Sequence, residues 1–147
     1  MFYTGRLFEH DFCGQVVNAV DYAKGYKPWQ QSAKEVTDNF SRNPETNPGQ
    51  WDISDPDGMC SDLFYYVSEH LIDLKNMEEL RVYPTFGSSF DIFHGVDLFF
   101  VFKGRMCTID LTCNSHKDSC KADVLICPDS DLEEVGKQIA HKLMSCY

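Results

Sequence analysis

The chain is short of positive charge. Its 147 residues carry 13 Lys and Arg against 23 Asp and Glu, a formal net charge of −10. A protein that grips duplex phosphates over an extended surface normally presents a basic face, so the balance argues against tight, extended DNA binding. Contact with nucleic acid would have to run through a local basic patch, a metal ion bridging acid to phosphate, or a surface that imitates nucleic acid. The chain also lacks a run of about 18 apolar residues, so no membrane span is expected. Its start, Met1 to Arg6, has no basic segment leading into an apolar stretch and does not read as a secretion signal. There is no internal repeat, no low-complexity tract, and no G-x-S-x-G, Walker or dinucleotide-binding glycine pattern.

Close C-x2-C pairs are missing too, although there are 7 cysteines: Cys13, Cys60, Cys107, Cys113, Cys120, Cys127 and Cys146. An odd number without a signal peptide points to free thiols in a reducing, cytoplasmic compartment. Cys113, His116 and Cys120 are the one spacing that could hold a soft metal; buried hydrophobes plus loop thiols are the competing reading.

What is present is an apolar interior in the making: 43% hydrophobic residues, with 11 Phe and 7 Tyr. The length suits a single domain over residues 1–147. Thr4 is placed to cap a first helix over about Arg6–Lys24, with Phe8, Phe12 and Val16 at helical spacing and Gly25 as its stop. Residues 26–58 are polar and broken by Pro28, Pro44, Pro48 and Pro56. This stretch reads as a long loop or lid, with a short helix around Ala33–Phe40, held to the body by Trp29 and Trp51. A helix over about Ser61–Lys75 follows, then a short strand at Leu80–Tyr83. Val96–Phe102 and Met106–Cys113 give the strongest strand signals, Ala122–Cys127 a further one, and a last helix spans about Asp131–Met144, capped by Ser130 or Asp129. The expected class is α/β, in the α+β sense: a mixed sheet of about four strands flanked by helices.

Lys103-Gly104 fits a two-residue hairpin turn. If Phe102 pairs with Arg105, counting back along both strands puts Asp97 opposite Asp110, with Cβ atoms about 4.5–5.5 Å apart. Like charges so placed need a divalent cation, a shared proton or a basic partner. The competing reading has Asp97 capping a strand end at solvent while Asp110 bonds to Thr or backbone groups. Asp52, Asp55 and Asp57-Gly58 resemble part of a calcium loop but lack its later ligands, and read as a turn with solvated acids. His94 is either a phosphate or proton contact or a loop residue without a role.

A helix with a buried acid (Glu9, in Gly5-Arg6-Leu7-Phe8-Glu9-His10-Asp11-Phe12), a strand carrying Asp97 (His94-Gly95-Val96-Asp97) and a hairpin partner carrying Asp110 (Thr108-Ile109-Asp110-Leu111-Thr112) together resemble the PD-(D/E)XK, restriction-endonuclease-like nuclease superfamily. The resemblance covers residues 5–24 and 80–127. It implies Mg2+ or Mn2+ held by Asp97, Asp110 and Glu9, and metal-assisted phosphodiester hydrolysis. The family's lysine position holds Thr112, so Lys121, or else Lys117, would have to assist the nucleophile. The family's helix between the last two strands also has little room in Asn114–Cys120. The alternatives are a catalytically degenerate binding protein, such as an acidic, virus-encoded type of inhibitor of a basic nucleic-acid-binding partner, and a Phe-rich assembly component.

Overall fold

The alternating residues on either side of Lys103-Gly104 build the centre of the sheet. The computed structural model describes residues 4–14, 16, 22–41, 51–71, 79–113 and 121–145. Lys103 (φ 51) and Gly104 (φ 79) are both left-handed, the backbone of a two-residue hairpin whose twist matches that of its strands. The turn joins β2 (Leu98–Phe102) to β3 (Arg105–Leu111), paired from Phe102↔Arg105 to Leu98↔Ile109. Lys has no side-chain means of easing a positive φ, whereas Asn does. Lys103→Asn should therefore raise stability by about 0.4–1 kcal/mol, read as a higher urea midpoint with an unchanged m value.

β1 (Arg81–Pro84) lies antiparallel to β2, and β4 (Val124–Ile126) lies parallel to β3, giving the sheet order β1-β2-β3-β4. The β3–β4 connection, residues 112–123, has the length of about a dozen that a parallel crossover requires. Its segment 114–120, with His116, Lys117 and Cys120, lies outside the described residues.

Apolar side chains on both strand faces demand cover on both sides. On one side α1 (Gly5–Cys13), α3 (Gly58–Glu69) and α5 (Leu132–Met144) pack Phe8, Phe12, Leu63, Val67 and Ile139 against Leu98, Phe100, Ile109 and Ile126. On the other, α2 (Trp29–Ser41) and α4 (Ser89–His94) pack Ala33, Val36 and Phe90 against Val96 and Phe99. The protein is thus α+β, with a four-stranded mixed sheet flanked by helices. Among the described phenylalanines only Phe93 is exposed, so the Phe content fills the interior rather than a Phe-rich surface. No helix among the described residues is long and apolar enough to cross a membrane.

Several boundaries differ from the sequence expectation. Thr4 does cap α1, its Oγ1 accepting from the Leu7 N–H at 3.2 Å. The helix stops at Cys13 rather than near Lys24, because Gly14 takes φ 71 and returns its N–H to the His10 carbonyl; Val16 is buried beyond it, and 15 and 17–21 lie outside the described residues. The segment 26–58 is less of a loop than its prolines suggest. α2 occupies Trp29–Ser41, and Trp51 is buried with its indole N–H donating to the Val82 carbonyl at 3.2 Å. The next helix runs over Gly58–Glu69 rather than about Ser61–Lys75, stopping at the His70 cap; 72–78 lie outside the described residues. Asp131, not Ser130 or Asp129, caps α5 by accepting from the Glu133 N–H. Ser130 instead receives the Cys127 N–H.

Candidate functional site

α4 is the element that the sequence reading missed, and it carries the decisive carboxylate. Ser88 caps it by accepting from the Asp91 N–H at 3.4 Å, and Asp91 reaches back to take the Gly87 N–H at 3.0 Å. This reciprocal arrangement resembles a capping box. At the other end Gly95 adopts the left-handed conformation (φ 68), and its N–H and that of Val96 return to the Asp91 and Phe90 carbonyls. Such a stop reverses the chain at once. Asp97, six positions after Asp91, is folded back beside it.

Asp97 itself departs from the straight ladder. In a regular strand the N–H and C=O of one residue face the same neighbour. Here the Asp97 N–H donates to Ile109 on β3 at 2.8 Å, while its C=O accepts from Thr85, beyond β1, at 3.0 Å. The backbone is turned at this residue, so β2 starts at Leu98 rather than Val96. The Asp97 carboxylate then takes the place of a backbone carbonyl, its Oδ2 accepting the Leu111 N–H at 2.8 Å. The hairpin register therefore holds up to Leu98↔Ile109 and bends away where the cross-strand acid pair was expected.

Glu9 of α1, Asp91 of α4 and Asp97 come together: one carboxylate oxygen from each lies within 4.8 Å of the others. Asp97 is 5% exposed, and Glu9 and Asp91 are half-buried. Asp110, also 5% exposed, stands outside that trio but close enough for its charge to act on Glu9. Burial first, then the Asp91 carboxylate, pushes the pKa of Asp97 up to about 10. Glu9 is raised as well, by burial and then by Asp91, against a lowering influence from Arg6. The Asp97 carboxyl hydrogen-bonds to both Asp91 and Glu9. Both shifts favour the protonated form, and a shared proton is one of the ways to keep neighbouring acids together.

The donor set fits a hard divalent cation. Octahedral Mg2+ with bonds of about 2.0–2.1 Å spans about 4.1 Å between opposite oxygens, so carboxylate oxygens lying within 4.8 Å of one another would have to draw in to hold it. Cys13 lies near enough for Asp97 and Glu9 to act on it, and burial raises its thiol pKa well above the usual range; sulfur is also a soft donor, poorly matched to a hard cation. The chain matches no family model, no curated protein and no solved structure.

Of the residues singled out from sequence, Glu9 and Asp97 meet directly and Asp110 lies alongside. Lys121 does not join them. β3 and β4 pair Ile109 with Val124, and Asp123 accepts from the Thr108 N–H and hydroxyl. Continuing that register puts exposed Lys121 level with Met106, four residues and about 13 Å down the strand from Asp110. Thr112, half-buried, gives its N–H to the Ile126 carbonyl at 2.9 Å. His94 is buried among Trp29 and Phe90 with Nε2 bonded to the Lys27 carbonyl at 2.7 Å, so it holds the loop before α2 in place. Asp52 forms the expected turn, accepting from the Ser54 N–H and hydroxyl, bonds that lower its pKa. The described cysteines, Cys13, Cys60, Cys107, Cys113 and Cys127, are free thiols.

Proposed function

We propose that the chain is a metal-dependent nuclease-type protein whose Mg2+ or Mn2+ is held by Glu9, Asp91 and Asp97. The carrying observation is the trio itself: carboxylates from separate elements converge around a buried Asp97 that is fixed by the Leu111 N–H. Its order along the chain, helix acid, strand-head acid, then Asp110 on the hairpin partner, supports the resemblance to the restriction-endonuclease-like family. Asp91 is an addition to that pattern.

Two of the three ligands are held by backbone N–H groups. The Leu111 N–H fixes one Asp97 oxygen, and the Gly87 N–H fixes one Asp91 oxygen. Such prior fixing reduces the reorganisation that binding would otherwise require. To hold the ion, Asp97 would have to give up its proton, so that the trio could present its negative charge. A bound divalent ion polarises a phosphate oxygen and lowers the pKa of its water. Asp110, near the end of β3, is a further carboxylate whose charge acts on Glu9 and which could orient a water.

A second reading, a catalytically silent binding protein for a basic nucleic-acid-binding partner, draws support from Thr112, from the distance of Lys121 and from the charge of −10. The readings part in one assay: cleavage of single-stranded DNA, duplex DNA and RNA with Mn2+, using wild type, Asp91→Asn and Asp97→Asn. The nuclease reading expects cleavage that falls to the metal-free background in both variants. No cleavage of any substrate, or equal cleavage by all three proteins, overturns it. In the first case, salt-sensitive capture of a basic partner without metal would support the binding reading.

A further inference from the structure

Two thiols lie where the neighbouring strands β3 and β4 both end. Leu111 pairs with Ile126, and the Thr112 N–H continues the ladder to the Ile126 carbonyl at 2.9 Å. Cys127 is therefore level with Thr112, and Cys113 is one residue further on along the adjacent strand. Strands about 4.8 Å apart with about 3.3 Å of stagger put these two Cα atoms about 6 Å apart, within the span of about 4.4–6.8 Å that a disulfide bridges. The chain bends at Cys113, so strand alternation does not by itself fix the face that its side chain takes. Cys113 is exposed and Cys127 half-buried, whereas Cys13, Cys60 and Cys107 are buried. The Cys127 thiol is raised by burial, then by Asp129, Cys113 and Asp110, which agrees with a close Cys113 and sets the pair beside the acid at the end of β3.

We propose that Cys113 and Cys127 are a dithiol redox site that closes to a reversible disulfide in exchange with a glutathione-type disulfide. The exposed Cys113 thiolate attacks the disulfide and releases one glutathione thiolate. The Cys127 thiolate then attacks the Cys113 sulfur of the mixed disulfide and releases the second. The two protein thiols lose two protons and two electrons, and one oxidised glutathione becomes two reduced ones. The link would tie together the carboxyl ends of β3 and β4. It does not rest on the nuclease reading.

The test is redox titration of the full chain with oxidised and reduced glutathione in native buffer, followed by alkylation of remaining thiols and peptide mass mapping. The expected product is a Cys113–Cys127 linkage that dithiothreitol reverses. In Cys127→Ser, Cys113 should instead accumulate a glutathione adduct; in Cys113→Ser, Cys127 should stay alkylatable. Cys113 linked to Cys120, or carrying glutathione in the wild type while Cys127 stays free, overturns the proposal. So does a Cys127→Ser variant with no more adduct than wild type.

Discussion

Asp97→Asn should make the metal-free protein more stable at pH 8 and remove its response to Mg2+ or Mn2+. Asn keeps an oxygen to accept the Leu111 N–H and, unlike Asp97, takes up no proton on folding to stay neutral beside Asp91 and Glu9. The sign follows from proton binding. In the unfolded chain an Asp loses its proton near pH 3.9, whereas folded Asp97 keeps it up to about 10. Between those values the folded state binds the extra proton, so its stability is greatest below the lower pKa and falls as pH rises toward the upper one. The slope for one such group is up to about 1.4 kcal/mol per pH unit. Glu9, shifted the same way, adds to it. From pH 5 to pH 8 the wild-type thermal midpoint should therefore fall more steeply than that of Asp97→Asn. A cation at about 100 times its dissociation constant should restore about 2.7 kcal/mol to the wild type and nothing to the variant. Parallel pH profiles for the two proteins would remove the buried, proton-sharing Asp97 from the explanation.

Gly58→Ala should destabilise the fold by roughly 2–4 kcal/mol and weaken cation binding as well. Gly58 begins α3 with φ 64, and a Cβ there would meet the Phe12 carbonyl oxygen at 2.7 Å and its carbon at 3.3 Å. These are backbone atoms of α1, so no side-chain rotation relieves the clash. The helix that carries Glu9 would have to move off α3. Gly104→Ala is the control, since its φ is 79 but nothing lies within 4 Å of the added Cβ. It should show only the backbone penalty and leave cation affinity unchanged. Chemical denaturation of both variants, with cation titration of each, separates the two contributions. Equal losses in both would mean that the α1–α3 contact is not tight.

How far the sequence could be read depended on how local each cause was. The hairpin was legible because alternation and the Lys103-Gly104 turn are neighbours in the chain. α5 was legible because Leu132, Val135, Ile139 and Leu143 repeat at helical spacing. α1 was overextended because apolar residues continue past Gly14, whose positive φ ends the helix. α4, at six residues, is too short for periodicity to register. Its punctuation was nevertheless visible, as Ser88 three places before Asp91 and Gly95 at the end. The cross-strand Asp97–Asp110 pair came from counting along ideal strands, and the turned backbone at Asp97 depends on Thr85, which sequence spacing does not reveal. Asp91 joined the site only through that reversal. The distance of Lys121 follows from the parallel β3–β4 register, which is equally a tertiary fact.

The trio's capacity to exchange its proton for a metal ion is read most directly by calorimetric titration of Mn2+ into the metal-free protein at pH 7, in two buffers of different ionisation enthalpy. One ion per chain should bind, with buffer-dependent heat that corresponds to net proton release, and both should vanish in Asp97→Asn. Binding with no proton release, or the same heat in the variant, would contradict a cation seated on Glu9, Asp91 and Asp97.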